Sequence, residues 1–182
     1  MAKKPSQESK LKVLIRKYIT KIGELGKDLT KMNPKLEFGF LFFHPKGLTK
    51  QSNGKIIYHG RSFQANKPKK ENFLVISHKT DLNPNHKKIV ETSEKKKYKL
   101  YNDLKKIFLL KNVEYTLNIK EHSYIISNRI YPEKEGNISI ENFYNTLRNI
   151  FHSDIYAIIV INEQLSGKVD LNGKDFSSPI YI

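Results

Sequence analysis

The chain has 182 residues and a formal net charge of +15, from 33 lysine and arginine residues against 18 acidic ones. Its hydrophobic content of 38%, with ten phenylalanines and ten tyrosines, is enough for a folded core and excludes a wholly disordered chain. The absence of cysteine excludes disulfides, thiolate zinc sites and cysteine nucleophiles.

The ends of the chain are polar and its centre carries the apolar patterns. Residues 1–9 form a charged tail with no apolar stretch behind it, so they do not resemble a signal peptide. The longest apolar run, Ile155–Ile161, is far shorter than the ~20 residues that span a bilayer. We therefore expect a cytoplasmic protein with one α+β domain over residues 10–165 and a turn-rich tail over 166–182.

A first helix is predicted after the polar tail, because apolar residues recur there at steps of three and four. The pattern continues to Leu29, and Asn33 before Pro34 is the expected end of the helix. We expect the apolar stripe to dock on a sheet or to cross a dimer interface through Leu14, Tyr18, Ile22 and Leu25.

Three strands are predicted next. Alternating and then continuous apolar residues indicate a strand from Leu36 to Phe43. The stretch "QSNGKIIYHGRSFQA" predicts a turn at Asn53-Gly54, a strand, a break at Gly60 and more strand. A third strand is predicted over Phe73–Ser77.

A second helix is predicted to begin at Asn83 and Pro84, which are typical N-cap and first helical residues, and to run to Phe108. The preceding "TDLN" is then a connector. His78, Asp81 and His86 lie around it, and two histidines with one carboxylate are a ligand set for a metal ion. Their spacing fits no established metal motif, so loop and surface histidines are favoured over ligands, and we expect no cofactor.

The last elements are a hairpin and a helix. Strands are predicted over Val113–Ile119 and Ser123–Tyr131, and a helix is predicted from an N-cap at Ser139. The stretch Ile155–Ile161 fits either a strand or a continuation of this helix. The fold class is therefore α+β, with an antiparallel sheet of about five strands and three helices in the order α-β-β-β-α-β-β-α.

The block "KKYKLYNDLKKIFLLKNVEYTLN…YIISNRIY…SIENFYNTLRNIFHSDIYAII" resembles an uncharacterised archaeal family placed near the type III secretion chaperone-like fold, which YbjN-like proteins also have. The resemblance covers roughly residues 70–165 in detail. It implies a chaperone-like fold, a homodimer and a last helix that runs through "IYAII". The family has no assigned activity, so the resemblance implies no catalytic residues.

Motifs for catalysis are missing from the sequence. It has no glycine-rich phosphate loop, no GxSxG and no HExxH. The positive charge indicates a polyanionic partner, or else codon bias, since only four of the basic residues are arginine. The first candidate for nucleic-acid binding is a lysine-rich segment flanked by Tyr98 and Tyr101, which contains Lys95, Lys96, Lys97 and Lys99. The alternative is that these lysines only form a solvated helix face. The second candidate consists of Arg61, Lys67, Lys69 and Lys70.

These patterns favour a non-enzymatic protein that binds another macromolecule, as an adaptor or a chaperone-like protein, with a protein partner or as a homodimer. The first alternative is a basic protein that associates with nucleic acid or the ribosome. The second is a metal-dependent enzyme using the histidine and aspartate side chains named above. No membrane partner is expected.

Overall fold

A computed structural model of the chain describes residues 9–51, 56–133 and 137–166. Its helices are α1 (Lys10–Ile22), α2 (Pro84–Glu91), α3 (Glu94–Leu110) and α4 (Ile140–Ser166). Its strands are β1 (Glu24–Asp28), β2 (Leu36–His44), β3 (Leu48–Lys50), β4 (Ile56–Tyr58), β5 (Arg61–Pro68), β6 (Leu74–Asp81), β7 (Glu114–Asn118) and β8 (Ser123–Ile130). The α+β class is confirmed. The predicted counts of about five strands and three helices were wrong, because the described residues form eight strands and four helices.

The chain separates into two compact units. The first contains the residues up to Leu74 together with Ile130–Phe143, and the second contains Val75–Arg129 and the residues from Tyr144 onward. The strand order is β1-β2-β5 in the first unit and β6-β8-β7 in the second, while β3 and β4 pair separately. Part of the predicted domain thus belongs to each unit.

The core of the first unit lies between α1 and the phenylalanine-rich strand β2. Ile15 and Ile19 are fully buried on the inner side of α1. Lys12 and Arg16 lie with their cationic groups 5.8 and 5.4 Å from the ring centroid of Phe40. Both cations also reach Asp28, at 2.9 and 3.6 Å. The cationic groups of both side chains therefore lie near an aromatic ring and pair with a carboxylate.

The first helix is shorter than predicted, because the chain turns into β1 directly after it. Gly23 caps the helix through its N–H, which donates to the carbonyl of Ile19 at 2.8 Å. Any Cβ at Gly23 would collide with the backbone oxygen of Phe43, so only glycine allows this close approach. The stretch that continued the apolar stripe past this point forms a strand instead.

The predicted docking stripe is not the fully buried side of α1, which carries Ile15 and Ile19. Leu14, Tyr18 and Ile22 are half-buried, and Leu25 lies in β1. The Tyr18 hydroxyl donates to the carbonyl of Ile138 at 2.9 Å, and its ring lies 5.9 Å from that of Phe143. Tyr18 therefore docks within the first unit, and a role of this stripe in a dimer stays a prediction.

The first two residues of the predicted connector "TDLN" are strand, since β6 continues to Asp81. Asn83 caps α2 as predicted, accepting from the backbone N–H of His86 at 2.8 Å, and Pro84 is the first helical residue. The prediction of a single long helix was wrong. The helix breaks at Thr92 and Ser93, and the Ser93 hydroxyl caps a new helix by accepting from the N–H of Lys96 at 3.4 Å.

The hairpin of β7 and β8 and the Ser139 cap of α4 are confirmed. Ile155–Ile161 is helical, so the strand alternative was wrong. The second unit buries one side each of α3 and α4 against its strands, and its core contains Ile76, Leu82, Val90, Leu100, Leu104, Ile107, Phe108, Tyr124, Ile126, Leu147, Ile150, Ala157, Ile161 and Leu165.

The predicted turn at Asn53-Gly54 lies outside the described residues, as do the predicted tails over residues 1–9 and 166–182 except for residues 9 and 166. Within the described chain, no helix combines the length and the apolar content that crossing a membrane requires.

Replacing Gly23 by Ala should destabilise the protein by about 1–3 kcal/mol, because the added methyl group overpacks the contact with the Phe43 backbone. Gly47→Ala is the matched control, since a Cβ there meets its nearest atom, in His59, at 3.7 Å, an ordinary contact. Urea unfolding of both variants measures the difference. Equal stability would show that the helix end does not depend on Gly23.

The stability of the first unit should depend on pH through His44. Burial lowers the pKa of His44 below its ordinary value of 6.5, although its Nδ1–H donates to the carbonyl of Ile22 at 2.9 Å. The folded state thus binds a proton at His44 less readily than the unfolded state does. The free energy of unfolding therefore has its full value above pH 6.5 and decreases as the pH falls through the folded pKa of His44. Unfolding free energies from pH 7.5 to 5.5 should fall more steeply in the parent than in His44→Asn, whose amide keeps a donor. Parallel profiles would contradict this.

Candidate functional site

A buried polar cluster joins α4 to two strands of the second unit. Asp154, fully buried on α4, accepts hydrogen bonds through Oδ1 from the hydroxyls of Thr80 on β6 and Tyr124 on β8, each at 2.7 Å. Its Oδ2 lies 3.2 Å from Nε2 of His78. A buried carboxylate is costly unless it is fully bonded, and these three partners supply the bonds.

The geometry also assigns the hydrogen positions of this cluster. His78 Nε2 lies 3.0 Å from the Thr80 oxygen, whose one hydrogen is donated to Asp154. Because a carboxylate only accepts, Nε2 carries a hydrogen and donates it. Since Asp154 and Tyr124 are fully buried and His78 nearly so, a substrate has no access to the carboxylate, and the arrangement acts as an anchor.

A second histidine, His122, connects the β7–β8 turn to α2 and α3 through its ring nitrogens. Burial raises the pKa of Tyr101 to about 12, and its hydroxyl oxygen lies within hydrogen-bond distance of Nδ1 of His122, at 3.3 Å. Nε2 of His122 donates to Glu91, at 3.2 Å. The backbone of His122 has a φ of 53°, and its carbonyl accepts from the N–H of Leu82 at 2.9 Å. These contacts of His122 hold the turn in a backbone conformation that few residues adopt.

The predicted metal candidates do not form a site together. His78 pairs with Asp154, whereas Asp81 is exposed and pairs with Lys79, at 3.3 Å. His86 is buried in the first turn of α2. Among residues 9–51, 56–133 and 137–166, no three histidine, aspartate or glutamate side chains are grouped so that they could hold a metal ion.

The lysine-rich segment forms an exposed face on α3. Tyr101 is buried with the apolar side of the helix, but Tyr98 is 63% exposed and projects among the lysines. Lys97 is half-buried and pairs with Glu94 at 3.2 Å. We define the α3 basic face as the exposed residues Lys95, Lys96, Tyr98, Lys99, Lys105 and Lys106. Within the described residues Lys106 pairs with Asp103 at 3.2 Å, and the other four lysines form no ion pair.

The second predicted basic group is not assembled. Arg61 begins β5, whereas Lys69 and Lys70 follow its end, so the strand separates them by roughly 25 Å. Lys67 is 8% exposed, and its ammonium group donates to the carbonyls of Glu71 and Pro68. It holds the turn after β5 and is not available to a ligand.

The sequence reasoning missed Asp154. One signal for it was present: it lies on the apolar stripe of α4, at helical spacing from Leu147, Ile150, Ala157 and Ile161, where a carboxylate needs buried partners. The pattern contained no information about which strands would supply those partners.

Tyr124→Phe removes one donor to Asp154 without creating a large cavity. Hydrogen bonds to charged groups are worth about 1.5–3 kcal/mol, so the free energy of unfolding should fall by about that amount. Tyr98→Phe is the matched control, because that side chain is mostly exposed and its change should stay within about half a kcal/mol. Equal stabilities, measured by urea unfolding, would refute the anchoring role.

Comparison with solved structures finds a similar fold in an uncharacterised protein from Methanothermobacter thermautotrophicus. The two chains are 15% identical, with a TM-score of 0.66 over 84% of this chain and 97% of that one. This likeness shows the fold alone. No curated protein matches the sequence. Residues 11–161 match the family described as "Uncharacterized conserved protein (DUF2299)", and the chain therefore belongs to that family.

Proposed function

We propose that this protein is a non-enzymatic, cytoplasmic binding protein whose partner is nucleic acid, free or in the ribosome. The observation that carries the proposal is the α3 basic face. It places five exposed lysines and one exposed tyrosine ring on the outward side of a helix whose inward side is firmly packed. The face is therefore held in place by the core while its charges stay in solvent.

The chemistry of this face suits phosphate and unpaired bases. Lysine ammonium groups neutralise phosphates and release counterions, which gives affinity that falls steeply with salt. The Tyr98 ring, exposed among them, is a platform on which a base can stack. The net charge of +15 adds a long-range attraction for any polyanion.

An adaptor or chaperone-like role with a protein partner or as a homodimer is the second candidate. Leu109 and Leu110 support it, since they are 61% and 85% exposed at the end of α3. Large exposed apolar side chains next to each other are typical of a contact with another protein. The resemblance to secretion chaperones is an analogy of fold and adds no site to this candidate.

Changing Lys95, Lys96, Lys99 and Lys105 to Gln should weaken the binding of a labelled oligonucleotide and flatten its salt dependence, by up to about one unit of log–log slope per lost contact. Stability should change little, because the four side chains are exposed. Fluorescence anisotropy at two salt concentrations measures both quantities.

The matched control changes four exposed lysines of the first unit to Gln: Lys27, Lys31, Lys35 and Lys46. Both variants lower the formal charge from +15 to +11, so they differ only in the position of the lost charge. Equal losses in the two variants would show a diffuse effect of net charge and would overturn the proposed site. No binding by the parent protein at low salt would overturn the function itself.

A further inference from the structure

The outward side of α4 carries a ridge that the α3 basic face does not include. Tyr144, Arg148, His152 and Tyr156 follow one another at four-residue spacing, and all four are exposed. Side chains at this spacing are neighbours on a helix surface. Each has a planar group on which a nucleic-acid base can stack. We call these four residues the α4 ridge.

Lys111 connects the ridge to the lysine-rich helix. It is the C-cap residue of α3, and its ammonium group lies 5.2 Å from the centroid of the Tyr156 ring. Its carbonyl accepts a hydrogen bond from the side-chain amide of Asn149 on α4, at 3.2 Å. A second bond joins the helices where Gln164 donates to Asp103, at 2.7 Å. A cation is thus fixed beside an exposed aromatic ring.

We infer that the α4 ridge and Lys111 form a stacking surface for unpaired bases, and that the partner is therefore single-stranded nucleic acid. The inference rests on the proposed function and specifies its ligand. Lys111 supplies the charge that binds a phosphate, and the adjacent Tyr156 supplies the ring for the attached base. Arg148 adds a second charge on the same ridge, complementary to the sugar–phosphate backbone.

Duplex nucleic acid cannot use such a surface in the same way. Its bases are already stacked on each other, and most of its contacts with proteins are made through phosphates. The lysines of the α3 basic face attract single strands and duplexes alike, whereas the ridge rings contribute only where a base is free to leave its neighbours. Preference for single strands should therefore depend on exposed rings, those of the ridge among them, and not on the lysines.

Tyr156→Ala tests the inference against Tyr156→Phe, which keeps the ring, and against Tyr131→Ala, which removes an exposed tyrosine from the first unit. The probes are a labelled single-stranded oligonucleotide of mixed sequence and the duplex made from it. Tyr156→Ala should weaken single-strand binding about fivefold or more, since base stacking is worth about 1–3 kcal/mol. Duplex binding should be unchanged, and the two controls should bind like the parent. Circular dichroism confirms that each variant is folded.

The outcomes separate this inference from the proposed function. Unchanged single-strand binding by Tyr156→Ala, with a loss in the four-lysine variant of α3, would overturn the inference and leave the proposed function standing. Equal losses for single strand and duplex would also overturn it. The last measurement is the solution mass of the protein without oligonucleotide. If the parent is a dimer and Tyr156→Ala is a monomer, a second copy covers the ridge, and the inference is overturned. Failure of the parent to bind either probe would remove the proposed function and the inference with it.

Discussion

The second unit depends on the contact of one buried carboxylate with two strands. Asp154 has to satisfy its oxygens without water, and the hydroxyls of Thr80 and Tyr124 and the ring of His78 do so from two different strands. A rotation of α4 by one residue would move the carboxylate away from these donors. The contact therefore fixes which side of α4 faces the strands, and with it which side faces solvent.

The same strands position α3. Phe108 packs against Tyr124 and Tyr115, with ring centroids 5.2 and 5.7 Å apart, so Tyr124 touches α3 through its ring and α4 through its hydroxyl. The two helices thus share one side of the strands, and hydrogen bonds join them near Lys111 and Asp103. The lysines of the α3 basic face and the rings of the α4 ridge are brought onto neighbouring helices by this shared core. Lysine charges and aromatic stacking carry little base-specific information, and the chain has only four arginines, so we expect binding with little sequence preference.

Local signals in the sequence were sufficient for much of this fold. The strand β2, the capping residues Asn83 and Ser139 and the hairpin of β7 and β8 were all predicted, because each depends on residues close together in the chain. Three features were missed, and two of them depend on partners that are distant in the chain. The end of α1 is set by the approach of Gly23 to the Phe43 backbone, the break before α3 by a cap at Ser93 inside a continuing apolar stripe, and the buried cluster by strands far from Asp154 in sequence. The exposed lysines were found from composition and spacing, and the apolar stripe already placed Tyr101 on the inward side of the helix, where it is buried while Tyr98 is exposed.

Amide chemical-shift mapping with a single-stranded oligonucleotide, at low salt and with isotope-labelled protein, tests the central claim most directly. The account predicts that the perturbed amides cluster in the second unit, over the exposed sides of α3 and α4 around Tyr98, Lys111 and Tyr156, while α1 and β2 of the first unit stay unchanged. Perturbations confined to the first unit, or spread evenly over every lysine-bearing surface, would contradict it.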